Sequence, residues 1–130
     1  MGPAADLPLC RSCGRPITPR RGHRPGQEVV YCSAACRRTR VGPRERALEE
    51  EVLRQLKERG PHATLCPSEV ARGLEPEDWR PLMEPVRRAA RRLAGRGALT
   101  FEQGGRRVDP GTARGPVRLR LARPPEASAP

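Results

Sequence analysis

Apolar residues recur in two rhythms along this chain, and the change between them marks its architecture. Between Arg44 and Arg59, Leu48, Val52 and Leu56 recur every four residues, with Leu53 beside them and charged side chains on the remaining surface. That spacing is the stripe of an amphipathic helix. Glu50 and Arg54 stand four apart as a supporting ion pair, and Gly60-Pro61 ends the helix. A short helix is predicted over Pro67–Arg72, opened by a proline in its first turn and closed by Gly73. A longer helix is predicted from Asp78, a good N-cap, to Ala94. Leu82, Val86, Ala89, Ala90 and Leu93 form its stripe, and Gly95 stops it. Pro81 is tolerated near a first turn, whereas Pro85 must kink the helix or mark its true start.

After Gly95 the period shortens to two. Leu99-Thr100-Phe101-Glu102 alternates, Gly104-Gly105 turns the chain, and Arg106-Arg107-Val108 returns. Val117, Leu119 and Leu121 alternate with Arg118 and Arg120, which predicts a third strand with one apolar and one basic face. Helix, short helix, long helix and hairpin is the order of a winged helix-turn-helix domain.

Before residue 44 the periodicity vanishes and cysteine takes over. Cys10 and Cys13 form one pair, Cys32 and Cys36 a second, and an 18-residue gap separates them. C-x2-C…C-x3-C suits one tetrahedral zinc ion held by four thiolates, a structural site. Pairwise disulfides fit this spacing less well. Gly14 supplies the tight loop after the first pair. Val29-Val30-Tyr31 reads as extended, and Ser33 as the cap of a helix whose first turn holds Cys36. Zinc with four thiolates carries two negative charges, and Arg11, Arg15, Arg37 and Arg38 lie close in sequence to offset them. His23 is a spare ligand type with solvent exposure as its default.

The expected fold class is therefore small α+β: a zinc-knuckle or treble-clef-like module followed by a winged helix. The expected limits are a disordered tail over 1–9, the zinc module over 10–38, a linker over 39–43, the winged helix over 44–123 and a second disordered tail over 124–130.

Composition supports small units. Only 35% of the 130 residues are hydrophobic, and one Trp, one Tyr and one Phe are present, too little for a large core without a metal staple. The net charge of +11 favours polyanions or an acidic protein face. Lys57 is the only lysine among Arg, Ala, Gly and Pro in abundance, so codon bias accounts for part of the arginine. No apolar run reaches the roughly 20 residues of a membrane span, and Met1–Leu9 lacks the regions of a signal peptide. Together with reduced thiols this points to the cytoplasm.

The candidate nucleic-acid contacts are arginines. Arg87, Arg88, Arg91 and Arg92 lie on the long helix, which a winged helix offers to the major groove, Arg96 follows a turn later, and Arg106 and Arg107 sit at the hairpin tip. Arginine suits guanine and phosphate through bidentate contacts. The competing reading is a solvated face balanced by Glu84 and the acidic first helix. No enzyme is expected: the chain has no G-x-S-x-G, no P-loop and no G-x-G-x-x-G after a strand, and His62 near Cys66 reads as structural. Trp79 is expected to anchor the long helix in the core.

Cys10-Arg11-Ser12-Cys13-Gly14-Arg15-Pro16 with Val30-Tyr31-Cys32-Ser33-Ala34-Ala35-Cys36-Arg37 resembles a small bacterial zinc-module family, domain of unknown function 2256. That family's middle is rich in tryptophan and lysine, whereas Thr18–Glu28 here carries Pro, Arg and His. The second half resembles domain of unknown function 3253, which implies a winged helix. It does so through Cys66-Pro67-Ser68-Glu69-Val70-Ala71, Trp79-Arg80, Val86-Arg87-Arg88-Ala89-Ala90, Gly97, Asp109-Pro110 and Gly115-Pro116-Val117-Arg118-Leu119. Neither resemblance carries an activity. The expected function is duplex-DNA binding, favoured over RNA, with regulation as the role such binding would serve. The alternatives are an adaptor that docks a protein through the zinc module and an RNA- or ribosome-associated protein.

Overall fold

The computed structural model describes residues 8–17 and 30–122. The expectations for 1–7, 124–130, His23, Val29 and most of the gap between the cysteine pairs fall outside these residues. Pro8 and Leu9, expected in the disordered tail, are held: the Ile17 N–H donates to the Pro8 carbonyl at 2.8 Å and Leu9 bridges to Pro16.

Helix α1 spans Ala34–Arg38, and α2 spans Pro43–Arg59. Pro43 takes the first helical position, where its missing N–H costs nothing, and the Glu45 carboxylate accepts the Gly42 N–H at 2.9 Å. The Leu48, Val52 and Leu56 stripe is buried as the spacing requires. Arg54 pairs with Glu51 and Glu58, one turn to either side, and not with Glu50 as expected. Strand β1, Thr64–Leu65, is too short to leave a periodic signal and is not among the expected elements. Helix α3 runs over Pro67–Leu74, two residues beyond its expected end, so Gly73 lies inside it. The Glu69 carboxylate accepts the Cys66 N–H at 2.9 Å, and the Cys66 thiol meets the Ser68 hydroxyl at 3.1 Å.

The long helix, α4, covers Met83–Gly95 and follows a 3-10 turn at Arg80–Leu82. Asp78 lies in the turn before it and does not cap it; Leu82 stands at the cap. Pro85 is the third residue of α4, so it marks the true start, where no intrahelical N–H is needed.

Strands β2 (Leu99–Gln103), β3 (Arg106–Val108) and β4 (Arg118–Leu121) join β1 in one antiparallel sheet of order β1-β4-β2-β3. Gly104 and Gly105, at φ +58° and +81°, make the tight turn that a side chain would strain. Leu119 faces Leu65 on one side and Phe101 on the other, giving the sheet its apolar face. Its opposite face carries the Arg120–Glu102 ion pair. The core lies between that apolar face and helices α2, α3 and α4. Trp79 packs half-buried against it, with the Arg72 guanidinium 4.4 Å above its ring. The described residues thus form a small α+β fold of four helices and a four-stranded sheet, with a cysteine cluster at the N-terminal side. No helix among them is long and apolar enough to cross a membrane.

Candidate metal centre and the arginine face of helix α4

The first cysteine pair sits on a knuckle. Cys10 N–H donates to the Arg15 carbonyl at 2.8 Å, and Gly14 N–H donates to the Cys10 carbonyl at 2.9 Å. Closing so tight a loop takes a positive φ, which Gly14 supplies at +80°. The second pair is positioned by α1: the Ser33 hydroxyl accepts the Cys36 N–H at 3.1 Å, as a helix cap should. Together the loops bring the four Sγ atoms of Cys10, Cys13, Cys32 and Cys36 within 4.8 Å of one another. Cys13–Cys32 and Cys32–Cys36 are 3.7 and 3.6 Å apart. A disulfide needs about 2.05 Å. A tetrahedral metal with bonds of about 2.3 Å puts its sulfurs about 3.8 Å apart. The four cysteines therefore fit a metal ion, with three of them buried.

The electrostatics agree. Burial raises the Cys10 thiol, but N–H groups of Cys13, Cys32 and Ser12 outweigh it and bring it down to about 6. Cys32 is pushed up to about 12 by burial and by its Cys36 and Cys13 neighbours. Sulfurs this close cannot all ionise unless a cation joins them. The side chain that reaches them is Arg88, whose Nη2 lies 3.6 Å from Cys36 Sγ. Arg11, Arg15, Arg37 and Arg38, expected in that role, are exposed.

Arg88, Arg91 and Arg92 lie at i, i+3 and i+4, hence on one face of α4, and that face meets the cysteine knuckle. Arg88 donates to the Ser12 hydroxyl, which itself donates to the Thr39 carbonyl at 2.7 Å. Arg91 Nε donates to the Cys13 carbonyl at 2.7 Å and Nη2 to Glu84 at 2.9 Å. Arg92 Nη1 donates to the Ser12 carbonyl at 2.6 Å, while its Nε meets Glu49 Oε2 at 2.6 Å. Glu49 also receives Arg46 at 3.0 Å and Arg96 at 2.7 Å. Arg91, Arg92 and Glu49 keep 4%, 7% and 4% of their surface, so these bonds replace water outright.

This placement divides the seven arginines expected to contact nucleic acid. Arg88, Arg91 and Arg92 dock the cysteine module onto α4 and are not presented to a groove. Arg96 is tied to Glu49, and Arg87 donates to the Gly115 carbonyl. Arg106 and Arg107 stand exposed on the hairpin and make no ion pair among the described residues. Sequence reading missed Glu49 and Ser12 as acceptors of the dock. Glu49 flanks the apolar stripe of α2, and a carboxylate there opposite an arginine-rich helix was the available signal.

The approach is close enough to need Gly14. A Cβ there would lie 2.5 Å from Arg91 Cβ and 2.7 Å from Arg91 C. Gly97 has nearly the same φ, +81°, but open space around it. Both Gly→Ala changes bear the backbone cost of about 1–3 kcal/mol. Gly14→Ala is expected to lower the thermal midpoint well beyond Gly97→Ala, and equal losses would show that the knuckle does not rest on α4.

Residues 45–122 match the family described as Protein of unknown function (DUF3253). Residues 5–39 match the one described as Uncharacterized protein conserved in bacteria (DUF2256). A comparison with curated proteins finds no match. The first match spans more than half of the 130 residues. The chain belongs to the DUF3253 family and carries a DUF2256 segment ahead of that domain.

Proposed function

We propose that this protein is a zinc-stapled winged helix of the cytoplasm that binds nucleic acid, duplex DNA foremost, through its hairpin wing. The carrying observation is the state of Arg106 and Arg107: exposed, without an ion pair among the described residues, next to a two-glycine turn on a chain of net charge +11. The winged-helix reading draws support from the order α2-β1-α3-α4-β2-β3-β4, in which β1 pairs with the last strand and β2-β3 projects as a hairpin. Zinc is favoured because four thiolates at tetrahedral spacing select it among common ions. Its role is structural, and the protein is a binder, not an enzyme. Because the arginine face of α4 is spent on the cysteine module, binding rests on phosphate contacts from the wing more than on base reading by α4.

Fluorescence anisotropy of the metal-loaded protein on duplex DNA across a salt series tests this. Arg106→Ala/Arg107→Ala is expected to weaken binding and to reduce the log–log salt slope by roughly 2, near 0.9 for each phosphate no longer neutralised. An unchanged slope and affinity would remove the wing from the account. Competition with structured RNA decides between the two nucleic acids.

A further inference from the structure

Where the cysteine module meets α2 and α4 it leaves a cleft of about 540 Å3, bordered by Arg11, Arg40, Arg46, Arg92, Arg96 and Tyr31. That volume is in the usual range for small-molecule sites. Its charge is unusual. Arg46, Arg92 and Arg96 share one carboxylate, Glu49. Arg11 and Arg40 make no side-chain hydrogen bond or ion pair among the described residues, and both are exposed. Among the described residues, five guanidinium groups thus border the cleft against the buried Glu49 carboxylate and the Glu45 carboxylate that Arg92 also attracts.

Like charges gathered this way repel unless an anion joins them. Glu49 satisfies only part of that demand and holds its three arginines in place while doing so. Arg46 and Arg96 keep 57% and 51% of their side-chain surface exposed, so they can bind a second anion without leaving the first. Cys10 also borders the cleft, and a four-thiolate centre with a divalent ion carries two negative charges. The surplus remains positive, with Arg88 adding a cation beside Cys36. Convergent guanidinium groups match the oxygens of phosphate. Tyr31, half-buried against the cysteine cluster, also lines the cleft and places an aromatic ring beside the arginines, a partner type for a base.

We infer that this cleft binds the phosphate group of a nucleotide, either free or within a single strand. The inference does not rest on the wing or on duplex binding: the cleft is a separate surface, and its test uses no duplex.

Isothermal titration of the full, metal-loaded chain with adenosine monophosphate and with a short oligothymidylate separates the two sources. Arg11→Ala/Arg40→Ala removes two cleft cations that make no side-chain hydrogen bond or ion pair among the described residues. Arg37→Ala/Arg38→Ala removes the same charge from exposed positions of α1 that do not border the cleft. Affinity for whichever ligand binds is expected to fall about tenfold or more in the first variant. In the second it should barely change. Equal losses would show a general surface charge, and absence of binding by either ligand to the parent chain would also overturn the inference. Thermal unfolding of both variants confirms that each is folded.

Discussion

Glu49→Ala is expected to destabilise the metal-loaded chain by about 3–5 kcal/mol. The carboxylate is 4% exposed and its partner Arg92 7% exposed, so the variant leaves a guanidinium in the interior without its counter-charge. Arg46 and Arg96 lose their shared acceptor as well. Every buried side-chain nitrogen and oxygen among the described residues has a hydrogen-bond partner, so the change breaks a network that is fully satisfied. Chemical denaturation measures the loss. Glu49→Leu/Arg92→Met should lose less than the sum of its single changes, because no charge is stranded. The pH dependence has a definite sign. Burial raises the Glu49 carboxyl, but hydrogen bonds from Arg92, Arg96 and Arg46 outweigh it and hold it below the usual carboxylate range. Its stabilising contribution is complete above an unfolded value of about 4.3 and fades as pH falls through the lower folded value. The Glu49→Ala chain should therefore show a shallower acid loss than its parent.

Removing the metal is expected to have the largest effect. Apparent binding energies of structural zinc sites are about 10–16 kcal/mol, and a metal held by these four cysteines would hold the dock as well. Without it, the repelling sulfurs of Cys10, Cys13, Cys32 and Cys36 cannot keep the two loops together. The Ser12 and Cys13 carbonyls that receive Arg91 and Arg92 then lose their positions. The helical signal in circular dichroism should survive largely intact, since the module supplies only the five-residue α1. Val86, Ala89, Ala90 and Leu93 still fasten α4 to the core. The thermal midpoint should fall sharply, and Cys36→Ser should reproduce the fall. A chelated chain with an unchanged midpoint would separate the metal from the fold's stability.

Local signals were legible in the sequence wherever they were periodic or stereochemically forced. The stripes of α2 and α4, the alternation in β2 and β4, the Gly104-Gly105 turn and the Ser33 cap all follow from spacing or φ demands. The ligand set was legible because metal coordination needs its residue types at set intervals. What escaped was the relation between the two halves. Arg88, Arg91 and Arg92 look the same in sequence whether they face a groove or a neighbouring loop, because their acceptors in the knuckle are backbone carbonyls and one serine hydroxyl, groups with no distinctive pattern. The 76 to 80 residues between each arginine and its acceptor in the knuckle leave no local trace. Asp78 misled for the opposite reason: a good capping residue was present, but Pro81 and Pro85 moved the helix start five residues on.

The central claim is that α4 turns its arginine face into the cysteine module. Arginine modification by phenylglyoxal, read by mass spectrometry residue by residue, tests it most directly. In the metal-loaded chain Arg91 and Arg92 should react far more slowly than Arg106 and Arg107, and chelation should bring them towards the faster rate. Arg91 and Arg92 modified as fast as the hairpin arginines while the metal is bound would contradict the account and return that face of α4 to solvent.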